Sequence, residues 1–287
     1  MEKRFHKGPT MQGKGIHLHP ERLSIPLKRK TPTVYAVWND LFHEAVPDDF
    51  VDKAFAGMAL SERHEFLVLT KRADRMAKWF RYDVGVRQRV DRVSESCGDH
   101  FLLDHEAPDP TDAWPLQNTW MGLTVCNQEE ADTKIPTFLK VPGKKFLSIE
   151  PMLGPVNLWN YLQHKASCRC PECHRRAYHP TESQLDSVIL GGETVPGARP
   201  MYPEWVRSVR DQCAAAGVPF FFKQWGEWVP WTENDDHYVG WPPADPKRNH
   251  VWNESDRWYS IRVGRKSAGR LLDGRTHDDL PWAVPCA

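Results

Sequence analysis

Asp40, Lys71, Glu150, Glu193, Lys223 and Gln224 share one kind of position in this chain, just after a short apolar run. If those runs are parallel strands, their ends fall on one rim of a barrel or open sheet, and the rim collects all six side chains. Taken singly, any of them also fits a strand meeting water. Gly191 and Gly192 favour the functional reading, because glycine lets a backbone or a ligand approach closely. A rim of ammonium and carboxylate groups suits a zwitterionic or phosphorylated ligand. Lys71 and Lys223 would be its charge partners, and Glu150 or Glu193 its acceptor or general base. No glycine-rich phosphate loop of the P-loop or dinucleotide type occurs, which argues against nucleotide hydrolysis. Nothing marks a nucleophilic serine or cysteine.

A second constellation is Cys168-Arg169-Cys170-Pro171-Glu172-Cys173-His174, with His164 before it and His179 after it. Cys170 and Cys173 have the gap of a zinc knuckle and Cys168 adds a third thiolate. One of the histidines, with His179 the candidate, completes a tetrahedron for structural zinc. The spacing of Cys168 and Cys170 is unusual for zinc, so a reduced loop and an iron–sulfur site stay open. Trp225, Trp228 and Trp231 fall three apart in WGEWVPW. Such rings stack on bases or on an adenine when exposed, and more often pack a core or a lid. The basic N-terminal stretch also reads two ways, as a solvated face or as an electrostatic footprint for nucleic acid.

The elements that must position these groups alternate in type. Thr33 to Trp38 (TVYAVW) has the content of a buried strand. After Pro47-Asp48-Asp49, residues Val51, Ala54, Phe55 and Met58 recur at helical spacing, giving an apolar face that can cover a sheet. Glu65 to Thr70 is followed by a helical stretch from Asp74 to Phe80, and Thr119 to Val125 by one beginning near Gln128. Lys145 to Ile149, Ser187 to Leu190 and Phe220 to Phe222 complete six strands. Between the last two, Pro203 suits a helix start and Gly217 its left-handed stop, with Trp205, Val209, Cys213 and Ala216 as the apolar face. The pattern predicts βαβ units on a parallel sheet. Ser94 to Leu116 and Leu158 to Gln184 read as loop-rich insertions, and the chain from Thr232 onward as a polar and aromatic extension.

With 287 residues, the chain is long enough for one large domain with insertions. Its 38 basic and 38 acidic residues cancel, so no global field holds it on nucleic acid or membrane, though a local patch can. No secretory signal opens it and no apolar run is long enough to span a bilayer. Seven cysteines, three of them crowded together, are not a secreted disulfide framework. A cytoplasmic protein with reduced or metal-bound thiols is expected.

LHPERL (Leu18 to Leu23), NDLFHEAVPDDF (Asn39 to Phe50), LTKR (Leu69 to Arg72), EPMLGPV (Glu150 to Val156), GGE with PGARPM (Gly191 to Met201) and AGVPFFFKQWGEW (Ala216 to Trp228) run in order through the chain. With RVGRKSAGRLLDGR (Arg262 to Arg275), they resemble a bacteriophage-associated family of radical S-adenosylmethionine-like proteins. The resemblance implies a partial, open TIM-like barrel of about six parallel strands. It also implies a mouth lined by Asn39, Asp40, Gly191, Gly192, Gln224 and Trp225 toward S-adenosylmethionine, with Lys71, Glu150, Glu193 and Lys223 toward chemistry. The cofactors implied are S-adenosylmethionine and a four-iron four-sulfur cluster on a three-cysteine loop after a first strand.

This chain departs from that pattern. It opens within or just after the helix that follows such a loop, and its first cysteine is Cys97. A start codon placed too far downstream, a separate chain supplying the cluster segment, or a degenerate member would each account for this. The Cys168 group lies in a late insertion and does not stand in for the loop. The expected function is a phage or prophage enzyme that modifies nucleic acid or protein in the host cytoplasm and is inactive without its cluster segment. The alternative is a non-enzymatic, zinc-stabilised protein that binds nucleic acid or a host protein.

Overall fold

A computed structural model describes residues 16–80, 115–162, 184–232, 248–253 and 258–282. Six strands, β1 (Val34–Val37), β2 (Glu65–Thr70), β3 (Thr119–Thr124), β4 (Lys144–Ile149), β5 (Ser187–Gly191) and β6 (Phe220–Gln224), lie side by side in chain order. Every neighbouring pair is parallel. The described helices are α1 (Ile25–Lys28), α2 (Asp48–Ala59), α3 (Ala73–Trp79), α4 (Gln128–Phe138), α5 (Trp159–Leu162), α6 (Pro203–Ala216) and α7 (Arg265–Ala268). A second, antiparallel sheet sets β9 (Trp258–Arg262) between β7 (Trp228–Thr232) and β8 (Asn249–Asn253).

The alternation of side chains along a strand divides the sheet into two faces. Phe66, Val68, Met121, Leu123, Leu147, Ile149, Val188, Leu190, Phe220 and Phe222 point toward the helices and form the main core. Leu67, Trp120, Phe146 and Ile189 point the other way, into a smaller cluster with Trp282. Trp38, at the end of β1, lies 6.5 Å from the Phe146 ring of β4 and 5.9 Å from Lys223 Nζ at the end of β6. Only a curled sheet brings its first and last strands so close. The fold is an open half-barrel, a partial TIM-like α/β structure with its helices outside, as the strand–helix alternation predicts.

The outer helices follow their sequence patterns. Val51, Ala54, Phe55 and Met58 of α2 are buried, and Phe55 stacks on Trp79 at 4.5 Å, whose indole N–H donates to Asp52 at 3.0 Å. Helix α6 stops at Gly217, at φ 69°. Its buried side is Pro203, Val206, Val209 and Cys213, so the apolar stripe lies slightly off the expected one. Trp205 flanks that stripe and packs against Trp252 of β8, with ring centroids 5.2 Å apart. A second sheet, which local periodicity does not announce, is what makes that contact.

The two edges of the large sheet differ. β6 is covered: the Phe222 N–H donates to the His277 carbonyl at 3.0 Å, and Phe221 forms an antiparallel bridge with Asp278. Trp282 then enters the inner face, 5.1 Å from Trp120 and 5.4 Å from Phe146 between ring centroids. Gly122 makes room for that packing, since a Cβ there would sit 2.2 Å from the Phe146 ring. β1, by contrast, leaves Val34 37% and Trp38 47% exposed.

One buried charge sets an alkaline pH dependence. Lys145, 1% exposed, donates from Nζ to the Gly143 carbonyl at 2.8 Å, and its backbone N–H donates to Asp186 at 2.7 Å. Burial pulls the ammonium down to about 8, with Asp186 opposing. An unfolded lysine titrates near about 10.4, so between the two values the unfolded chain holds more protons. Stability contributed by this group therefore rises as pH increases from about 8 toward about 10.4, by about 3 kcal/mol in all. Urea unfolding across that range should show the rise in the native protein and not in Lys145→Met. Equal slopes in both would refute it.

Candidate functional site

The strand ends bring the rim residues to one mouth. Glu150, leaving β4, is its centre. Lys223 Nζ donates to one carboxylate oxygen at 2.8 Å and Gln224 Nε2 to the other at 3.2 Å. The pair stays accessible, with Lys223 46% and Glu150 23% exposed in their side chains. Gly191 lies beneath the carboxylate, and a Cβ there would come within 3.2 Å of Glu150 Oε1. Backbone contacts hold the two strand ends together, the Gly192 N–H donating to the Gln224 carbonyl at 2.9 Å. Lys71, at the end of β2, is exposed and forms no ion pair among the described residues.

Other rim positions are occupied by structural ties. Glu193 accepts from the Arg199 backbone N–H and from two guanidinium nitrogens, each at 2.9 Å, and that guanidinium holds its carboxyl below the usual range. Both oxygens are engaged, which suits an anchor for the loop after β5 better than a general base. Asp40 has φ 48° and accepts from Thr70 Oγ1 at 2.5 Å and from the Arg72 guanidinium. Arg72 also donates to Glu44 at 2.7 Å. Asp40 thus joins the ends of β1 and β2, while Asn39 beside it is exposed.

Trp225, which the resemblance places toward the cofactor, is 4% exposed; its indole N–H donates to the Leu271 carbonyl at 2.8 Å. Trp228 and Trp231 are buried as well, the first donating to the Ala198 carbonyl at 2.7 Å and the second packing on Tyr259. The three tryptophans pack the core and offer no free stacking face. Indole spacing alone does not tell a buried strand from an exposed one.

The structure adds Trp38, Arg199 and Cys126 to the mouth. Trp38 ends the first apolar run, where it looked like one more core residue, and only the curl of the sheet puts it beside Lys223. Cys126, just past β3, is half-buried, and its backbone N–H donates to Glu130 at 3.0 Å while Asn127 caps α4. Burial, and after it Glu130, raises the thiol above its ordinary range, against Lys71, Lys134 and Arg199. Cys213 faces the core, and burial pushes its thiol up to about 12. Cys168, Cys170, Cys173 and His179, the expected zinc ligands, lie outside the described residues. Among the described residues, no three His, Cys, Asp or Glu side chains converge on a metal position, and no helix is long and apolar enough to cross a membrane.

Comparison with known proteins yields no match among curated proteins or solved structures. A family profile does match, over residues 1–281 and hence through every strand of the half-barrel and every residue of the mouth. The chain belongs to the family described as Protein of unknown function (DUF5131).

Proposed function

We propose that the mouth of the half-barrel binds S-adenosylmethionine and that the chain is the scaffold of a radical S-adenosylmethionine-like enzyme of phage or prophage origin, acting on a nucleic acid or a protein. The observation that carries this reading is the accessible Lys223–Glu150 pair, braced by Gln224 and floored by Gly191. The amino-acid end of S-adenosylmethionine carries an ammonium and a carboxylate. Those groups can exchange into the pair, the ammonium onto Glu150 and the carboxylate onto Lys223, with Gln224 keeping Glu150 in place. Gly191 keeps the space beside Glu150 free of a side chain. The resemblance of the rim motifs, in order, to radical S-adenosylmethionine-like proteins supports the same ligand.

The iron–sulfur cluster is a separate matter. The thiols of the described residues, Cys126 and Cys213, stand on β3's exit and on the core side of α6. They do not fit a three-thiolate set, so this reading routes no step through a cluster on these residues. Reductive cleavage of S-adenosylmethionine would take its electron from a cluster on a separate segment, and the residues of this mouth would bind and orient the S-adenosylmethionine.

Calorimetric titration of the chain with S-adenosylmethionine tests the reading. The native protein should bind, and Glu150→Gln and Lys223→Met should each weaken binding about tenfold or more while circular dichroism stays native. Absence of binding, or native affinity in both variants, would overturn it.

A further inference from the structure

We infer that the mouth and the edge strand β1, uncovered among the described residues, bind single-stranded nucleic acid, with one unpaired base stacked on Trp38. The inference deepens the proposed reading by naming its substrate class, and rests on it only for the idea that the bound strand is a substrate. Trp38 is 47% exposed, yet its indole is not adrift. Phe146 meets it edge-on, with an interplanar angle of 85°, and Lys223 stands over one face of its ring, 5.9 Å from the centroid and itself fixed by Glu150 at 2.8 Å, so a base would stack on the other face. An exposed indole held in one orientation by two neighbours is a stacking platform that accepts any base.

The surroundings suit a polyanion. Lys71 flanks the mouth, and Lys28, Arg29 and Lys30 stand exposed just before β1; none of the four forms an ion pair among the described residues. The nearby carboxylates Asp40 and Glu44 are already shared by Arg72. Exposed Val34 and Ala36 lie on the same face of β1 as Trp38, by the strand's alternation. The track from Lys30 to Trp38 is at most about 27 Å of extended chain, enough for several nucleotides. Cations for the phosphates at one end and an aromatic platform at the other are the two parts of a single-strand site. A base in a duplex is already stacked on its neighbours and cannot stack on Trp38 without leaving them, so the site discriminates against duplex. Because the whole chain is neutral, this footprint is local.

Fluorescence anisotropy with labelled single-stranded DNA and RNA of about a dozen nucleotides, and with the matching duplex, tests this on the full chain without S-adenosylmethionine. The native protein should prefer single strands. Trp38→Ala should weaken binding about tenfold or more, and Trp38→Phe should restore most of it. Combined Lys28→Gln, Arg29→Gln and Lys30→Gln should lower the slope of log affinity against log salt by about two. No preference for single strands, or native affinity in Trp38→Ala, would overturn the inference. Because S-adenosylmethionine is absent, that failure alongside intact S-adenosylmethionine binding would leave the proposed reading standing. Lost S-adenosylmethionine binding with intact oligonucleotide binding would remove only the reading.

Discussion

Gly192→Ala should cost about 3 kcal/mol or more of stability and abolish S-adenosylmethionine binding at the temperature where the native protein is folded. A Cβ at Gly192 would lie 2.0 Å from the Trp225 carbonyl oxygen and 2.6 Å from its carbon, both backbone atoms that no rotamer change can move. Gly226 faces it with the same problem, since its Cβ would meet the Glu193 carbonyl at 2.3 Å. The ends of β5 and β6 therefore touch backbone to backbone, and a methyl group would wedge them apart. That would pull Gln224 away from Glu150, so the site should fail with the fold. Gly217→Ala is the control. It has φ 69° and nothing within 4 Å of its Cβ, so it should cost only the conformational penalty of about 1–2 kcal/mol. Chemical denaturation of both variants reads the difference. Equal losses would mean that close approach is not why glycine stands at Gly192.

Trp282→Ala should cost about 3–5 kcal/mol, the range for emptying a buried indole. Trp282 is 5% exposed and closes the inner face of the half-barrel against Trp120 and Phe146. A sheet that curls without closing leaves apolar side chains facing into the opening. Here the bridge of Phe221 to Asp278 brings the following residues back over them. The variant should expose Leu67, Trp120, Phe146 and Ile189, giving increased binding of a hydrophobic dye below the unfolding transition. Phe146 also supports Trp38 edge-on, so the loss should extend to oligonucleotide binding. A variant with native stability and no extra dye binding would show that the inner face does not depend on this side chain.

The rim was legible because strands and helices announce themselves through local periodicity, and a charged residue after an apolar run marks a strand end whatever the partner strands are. That reasoning located Glu150, Gly191, Lys223 and Gln224, which meet in the structure as one constellation. It could not rank them. Asp40 and Glu193 look equally chemical in sequence, yet each is engaged by an arginine, Arg72 or Arg199, whose pairing depends on how the loops fold back. Trp225 and Trp38 show the same limit. Trp38 ends an apolar run and Trp225 follows the charged end of one, and burial, which depends on what packs over them, put the second in the core and left the first exposed.

Element types, their order and the position of the mouth are local properties, written in side-chain period and in the residues that end each strand. The curl of the sheet, the covered edge of β6 and the pairing across the mouth join residues far apart in the chain. The Lys223–Glu150 pair spans 73 positions and the Phe146–Trp282 contact more. No pattern in a window of ten or twenty residues contains such contacts, because they arise when strands whose side chains alternate between two faces are packed side by side and bent.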